Sequence, residues 1–361
     1  MYQIALTMVE GVGPINAKNL IAYCGSASEV FKAKKSSLLK IPEVGEVTAA
    51  AVYNFDNFRR AEAEVKFIES NSIHVHFYAS PGYPYRLKDN RDCPVLLYQL
   101  GNMNLNCERI VGVVGTRKPS EMGKLFCDKL IADLAASGIM VISGMAFGID
   151  ICAHQAAIKN NVPTVGVMAH GLDRIYPAMH KKYSRAMINN KGGFISEYIS
   201  GTLPDRENFP KRNRIVAGLC DAMVVIETAK RGGSMITAEL AWQYNRSLLA
   251  IPGRPSDEKS EGCNYLIKTN RAELMECADD LLNAMNWNNP KLKEPKQRSL
   301  PLDLSGEQLQ MLGYFADNKV LGIDEIIALS SLPNSRAALV LLDLEFKGLV
   351  QNLPGKRYQL I

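Results

Sequence analysis

The chain has 361 residues, 47% hydrophobic and 22% charged, with a formal net charge of +5. This is the composition of an ordinary globular protein with room for two or three domains, and it excludes a disordered or low-complexity chain. No apolar run reaches the roughly 18 residues of a membrane span, and the first residues lack a signal-peptide pattern. The eight cysteines are scattered without a C-x-x-C pair, which fits free thiols in a reducing cytoplasm.

Residues 1–70 read as a helical domain with short Gly/Pro turns. Val9-Glu10-Gly11-Val12-Gly13-Pro14-Ile15-Asn16-Ala17 matches the hairpin of a helix–hairpin–helix unit. Ile41-Pro42-Glu43-Val44-Gly45 matches it less well, with Glu43 in place of the first Gly. Such hairpins present backbone N–H groups to phosphates. Yet the segment up to Ser80 has eight basic and eight acidic side chains, so protein contact or packing against the next domain competes equally.

From 71 to 285, short β-branched runs alternate with amphipathic stretches, the pattern of βαβ units on a mostly parallel sheet. Strands are expected at Ile73–Phe77, Pro94–Gln99, Ile110–Val114, Met140–Ser143, Thr164–Met168, Gly193–Ser196, Ala222–Glu227 and Leu248–Ile251. Helices are expected to start at Pro119 or Ser120, Ile149, Ala178, Arg212 and Ser234. His74 and His76 share a strand face, but no third ligand is near in sequence, so a metal site is not expected.

In such sheets ligands bind beyond the carboxyl ends of the strands, which selects four loops. The first, Gly115-Thr116-Arg117, makes a nest of backbone N–H groups beside a cation. The second, Ser143-Gly144-Met145-Ala146-Phe147-Gly148, has small residues that permit close backbone approach. Asp150 and His154 follow it four residues apart, either as an acid–base couple or as a helix cap beside a packed His. The third is His170-Gly171-Leu172-Asp173 and the fourth Arg231-Gly232-Gly233-Ser234. G-x-G-x-x-G and G-x-x-x-x-G-K-[ST] are both absent, so no nicotinamide or P-loop nucleotide cofactor is expected.

Charge is concentrated between Gly171 and Arg214, where nine Lys/Arg face four acids, an excess as large as that of the whole chain. Within it, Phe209-Pro210-Lys211-Arg212-Asn213-Arg214 places three cations just before an apolar run. A core does not accept that density without partners. Cations at the mouth of a helix suit a polyanion, which makes this segment the expected electrostatic footprint for phosphate.

Residues 286–304 are rich in Asn, Pro and Lys and read as an extended linker. Residues 305–361 read as a winged helix, with helices Gly306–Ala316, Gly322–Leu329 and Pro333–Lys347 and a β-hairpin turning at Pro354-Gly355. The third helix opens with Ser335 and Arg336 but continues apolar, with Asp343 and Glu345. From Trp287 onward nine cations face eight acids, a poor balance for reading duplex DNA. An accessory or protein-contact role is expected.

The middle segment resembles the DNA processing protein A family (DprA, also called Smf) from Tyr83 to about Leu282. The resemblance rests on Gly-Thr-Arg-x-x-Ser at 115–120, Ser-Gly-x-Ala-x-Gly-Ile-Asp-x-x-Ala-His at 143–154 and Gly-Leu-Asp-x-x-Tyr-Pro at 171–177. It continues through Ser-Glu at 196–197, Phe-Pro-x-Arg-Asn-Arg-Ile-Val-Ala-Gly-Leu at 209–219, Gly-Ser-x-Ile-Thr-Ala at 233–238, Pro-Gly at 252–253 and Gly-x-Asn-x-Leu-Ile at 262–267. It implies an extended Rossmann-like domain flanked by a helix–hairpin–helix/SAM-like domain and a winged helix.

It further implies a non-enzymatic protein that binds single-stranded DNA, dimerises, displaces single-strand-binding protein and loads the recombinase RecA during natural transformation. Carried over, the contacts would be Gly115, Arg117, Ser143, Gly144, Phe147, Lys211, Arg212, Asn213, Arg214, Gly233 and Ser234. The aromatics near the loops, Phe147, Tyr176 and Phe209, are candidates for stacking on bases, Phe209 reading more readily as a core anchor.

Two other readings compete. One is a nucleoside-monophosphate phosphoribohydrolase using Gly232-Gly233 and Glu239, although Met235 and Ile236 stand where that loop needs Gly and Thr. The other is a transcription regulator acting through the winged helix.

Overall fold

The computed structural model describes residues 1–288, 304–315 and 320–360. The expected linker therefore lies largely outside the described residues, as does Ala316 at the expected end of the first C-terminal helix. Six helices between Tyr2 and Ser70 precede a nine-stranded sheet. Its strands are β1 (His74–Phe77), β2 (Leu96–Leu100), β3 (Ile110–Val114), β4 (Met140–Ser143), β5 (Thr164–Val167), β6 (Gly193–Ser196), β7 (Ala222–Val225), β8 (Ser247–Ala250) and β9 (Glu273–Leu274).

Their spatial order is β1-β2-β6-β5-β4-β3-β7-β8-β9. β1 and β2 pair antiparallel, as do β2 and β6, and every other pair is parallel. The parallel part of the sheet starts at β3, steps outward through β4, β5 and β6, and returns to the other side of β3 at β7. The sheet thus reverses direction between β3 and β7, the place where α/β folds open a ligand crevice. β3 to β7 are buried along their whole length because helices cover both faces, so each is a continuous apolar run rather than an alternating one.

The helices pack by their apolar faces. Cys127, Leu130, Ile131 and Leu134 of Glu121–Leu134 are buried at helical spacing. Its cap is Ser120, whose Oγ accepts from Gly123 N at 3.0 Å, so Pro119 precedes the cap instead of opening the helix. The helix expected from Arg212 begins four residues earlier and runs Asn208–Leu219. Pro210 sits in its first turn, where the missing N–H has no acceptor to lose. The cations at 211–214 therefore lie in the second turn, not at the helix mouth.

The N-terminal helices do not form an isolated core. Leu6, Leu20, Val30, Val52 and Ala61 cluster with Val95, Leu96 and Tyr98 of the sheet, and Leu172 and Ile199 pack against them. The C-terminal domain has helices Gly306–Gly313, Ile323–Ser330 and Asn334–Phe346. Its strands β10 (Leu321–Gly322), β11 (Val350–Leu353) and β12 (Arg357–Leu360) are ordered β10-β12-β11, a winged helix.

The wing docks at the amino ends of the sheet strands. There Asp221 accepts from Arg86 Nε at 2.7 Å, Arg86 Nη2 at 2.8 Å and Ile110 N at 2.8 Å. Arg357 of β12 comes within 3.5 Å of the Asp89 carboxylate and 3.9 Å of that of Asp221. Its guanidinium lies 4.3 Å from the Tyr85 ring centroid, and that of Arg86 lies 4.6 Å from the same ring.

Removing one partner of a buried ion pair strands the other charge, at about 3–5 kcal/mol. Asp221→Asn should therefore lower the unfolding free energy by about that amount in urea titrations. A loss within experimental error would show that Arg86 does not depend on this carboxylate.

Candidate nucleic-acid interface

The loops after β3, β4, β5 and β7 meet over a cavity of about 770 Å³. They are tied together by backbone: Thr116 N donates to Glu227 O at 2.6 Å and Ile149 N to Thr116 O at 3.1 Å. The Glu227 carboxylate accepts from Ser120 N at 2.8 Å and from the Ser120 hydroxyl, which fixes the first loop against the start of the next helix.

Gly115, Arg117, Gly144, Phe147, Arg212, Asn213, Gly233 and Ser234 all line the cavity. Ser143, Lys211 and Arg214 do not. Ser143 is wholly buried and donates to Val113 O at 2.6 Å, an internal sheet contact. Arg214 is mostly buried against Glu197, which accepts from its Nη2. Lys211 is exposed, 4.0 Å from Glu207.

Arg212 corrects the picture of a cationic helix mouth. It is buried, and its Nη1 donates to the carbonyl of Val167. The carboxylate of Asp150 lies close by, accepting from Ala146 N at 3.3 Å. Burial pushes the Asp150 carboxyl up and Arg212 restrains it; burial pulls the Arg212 guanidinium down and Asp150 restrains that shift. Both charged groups close on Gly144, where a Cβ would collide with the carboxylate and come within 2.7 Å of Arg212 Nη2. A side chain at 144 would therefore have to displace one or both of these buried side chains.

Asp150 and His154 do not form an acid–base couple. His154 is fully buried; its Nε2 lies 2.7 Å from Gly144 O and its Nδ1 2.7 Å from Thr164 Oγ1. A carbonyl only accepts, so Nε2 carries the proton and Nδ1 accepts from the hydroxyl. Burial lowers its pKa from 6.5 to about 4.

The charges open to solvent are elsewhere. Arg117 and Arg206 are exposed on the cavity lining, and among the described residues no carboxylate forms an ion pair with either. Arg117 lies 6.0 Å from the Phe209 ring centroid, and Phe209 lies 6.1 Å from Tyr176. Phe209 is half-buried and belongs to the lining rather than to the core. Phe147 and Tyr176 are close to half exposed. Arg206 was missed as a site residue, although it lies within the basic stretch. The signal was a cation flanked by Pro204 and Pro210, which line the same cavity.

The remaining candidates do not converge on the cavity. Glu239 pairs with Arg271 and is not part of the lining. His76 Nε2 meets Gln99 Oε1 at 2.8 Å, and no group of metal-ligating side chains occurs among the described residues. No single described helix is long and apolar enough to cross a membrane.

A Rossmann-like sheet with its cavity at the reversal point, carrying an N-terminal helical domain and a winged helix, defines a three-part α/β protein built around one ligand crevice. The chain belongs to the DNA recombination-mediator protein A family, whose profile matches residues 74–286. The DprA winged helix domain matches 295–356, starting inside the expected linker. Protein Smf of Synechocystis sp. is 30% identical over 99% of this chain and 98% of its own length. DNA processing protein DprA of Streptococcus pneumoniae is 35% identical over 70% of this chain and 96% of its own.

The X-ray structure of the Streptococcus pneumoniae protein superposes with a TM-score of 0.65 and 30% identity, covering 78% of this chain and 95% of that one. DNA processing protein A from Helicobacter pylori, whose structure is described in terms of its single-stranded DNA binding mode, gives 0.52 and 27% over 59% and 95%.

Arg212→Ala removes the cation that most restrains the buried Asp150 carboxyl, together with the hydrogen bond to Val167 O, so it should destabilise the domain by about 1–3 kcal/mol in urea unfolding. A variant as stable as the parent would mean that neither the cation nor this hydrogen bond supports the fold. His154 gives a pH test. An unfolded His protonates near 6.5 and the folded one only near 4, so the folded state binds fewer protons in between. Stability should then fall on acidification through that window, by about 1.4 kcal/mol per pH unit at most. If His154→Gln shows the same pH dependence as the parent, other groups are responsible.

Proposed function

We propose that this protein binds single-stranded DNA at the cavity and acts as a recombination mediator in natural transformation. The observation that carries the reading is the pairing of solvent-exposed Arg117 and Arg206 with the aromatic faces of Phe147, Tyr176 and Phe209 around one opening. Cations on a rim replace phosphate counterions, and aromatic faces accept unstacked bases of any sequence, at about 1–3 kcal/mol per base. Paired bases in a duplex stay stacked and cannot enter such a cavity without unpairing.

The Gly115–Arg117 and Gly232–Ser234 loops offer backbone to a passing phosphate chain, which positions without reading sequence. Loading of RecA, displacement of single-strand-binding protein and action as a homodimer complete the proposal on the strength of the family. The winged helix serves protein contact in this reading. Its third helix exposes Leu339, Leu342 and Phe346, and its one opening cation, Arg336, is paired with Glu307 at 2.8 Å.

Fluorescence anisotropy of labelled poly-dT and a matching duplex at several salt concentrations tests the proposal. The parent should prefer the single strand, with affinity falling steeply as salt rises. Arg117→Ala and Arg206→Ala should each weaken binding regardless of sequence and reduce the salt slope by about one unit. Duplex preference would move the function to the winged helix. Absence of binding to either nucleic acid would remove the mediator reading.

A further inference from the structure

We infer that the N-terminal helical domain is a working part of the single-strand site: Glu64, assisted by Arg60, is a positioning residue that clamps the loop carrying Arg206 to the cavity. The inference rests on the single-strand reading of the cavity.

The N-terminal domain has a balanced charge, and two of its side chains reach toward the loop after β6. Glu64, in the helix Phe58–Ser70, is 2% exposed. Its carboxylate accepts from Ser200 N at 2.9 Å and from Ser200 Oγ at 2.5 Å. Arg60 Nη1 lies 2.9 Å from the same carboxylate, while Arg60 Nη2 donates to Ser200 O and, at 3.0 Å, to Ser200 Oγ. Ser200 thus has its N–H, its C=O and its hydroxyl all held by two side chains from another domain. Charge-assisted bonds of this kind are the stronger sort, and a buried carboxylate left without them is costly.

The clamp is transmitted to the cavity by backbone. Gly201 N donates to Asp173 Oδ1 at 2.8 Å, and Gly171 N donates to Thr202 O at 3.2 Å. These bonds zip the loop after β6 to the Gly171-Leu172-Asp173 turn. Gly171 is needed for that approach, since a Cβ there would strike Ile199 O and stand 2.8 Å from Ser200 Cα. Leu172 and Ile199, one from each loop, pack into the apolar cluster of the N-terminal helices. From the zipped pair, His170, Tyr176 and Pro177 reach the cavity on one side and Pro204 and Arg206 on the other. A side chain in the first domain therefore fixes the loop that carries one of the two exposed cations of the rim.

Two readouts on Glu64→Ala test the clamp. In poly-dT anisotropy the affinity should drop roughly 2- to 30-fold, the range for residues that act through a neighbouring element. The salt slope should stay that of the parent, because no phosphate-facing cation is lost. Combined with Arg206→Ala, the loss should be less than the product of the single losses, because both changes disable one loop. In hydrogen exchange, protection of the Ser200 and Gly201 amides should fall while β3 to β7 keep theirs.

If Glu64→Ala does not fold, Glu64→Gln and Ser200→Ala, which each remove only part of the clamp, carry the same measurements with smaller losses. A folded variant with parental affinity and parental protection at 199–204 overturns the inference, as does strict multiplicativity with Arg206→Ala. A parent that ignores single-stranded DNA refutes the functional reading instead, and hydrogen exchange still decides the clamp.

Discussion

Arg212 carries a guanidinium into the crevice where the sheet changes direction, and the loops of three strands close around it. Its Nη1 meets the carbonyl at the end of β5, its charge faces Asp150 at the start of the helix after β4, and both press on Gly144. Two charges out of water are costly; here each moderates the burial of the other at a distance, and the Arg212 hydrogen bond ties its helix to the end of β5. The floor of the cavity carries both groups. It is also close to neutral, which leaves attraction for a polyanion to the rim.

That division separates two kinds of cation that look alike in a composition count. Arg214 pairs with an internal carboxylate, Glu197, Arg212 lies buried near Asp150 and donates to a backbone carbonyl, and Arg86 and Arg357 lie at the opposite end of the sheet with Asp221 and Asp89. Arg117 and Arg206 face solvent and are available to a phosphate chain. A neutral floor lined by Met145, Met168, Val216 and Ile236 with aromatic faces above it suits the apolar surface of bases. The exposed cations suit the backbone. The proposed ligand, single-stranded DNA, has both surfaces on a single flexible strand.

Much of this was legible in the sequence, and the reasons differ from place to place. β3, β4 and β6 appear where expected because a strand buried on both faces is a short unbroken apolar run ended by Gly, Ser or a charge. The four loops followed from those strand ends. The start of the helix at Asn208 was not legible, because Pro210 looks like a boundary when it is a first-turn residue. Nor could the sequence distinguish Arg117 from Arg212. Whether a cation is free depends on where Asp150 and Glu197 arrive, and that is decided by the order of strands across the sheet. The wing contact is hidden for the same reason: Arg357 sits in a charge-balanced segment, and its partners Asp89 and Asp221 lie more than a hundred residues away.

The same dependence on distant partners explains why a neutral N-terminal domain belongs to this architecture. The domain's charge is balanced, and its apolar core packs against β2 and two loop residues, Leu172 and Ile199. If the loop after β6 presents Arg206 to a ligand, as proposed, binding costs conformational entropy unless something holds the loop beforehand. The helices cover the antiparallel edge of the sheet, the side on which the loop after β6 emerges. They are therefore placed to supply that restraint through Glu64 and Arg60, with no need to touch DNA. On the proposed reading the flanking domain contributes order to the site, and the Rossmann-like domain contributes the charge and the aromatic surface.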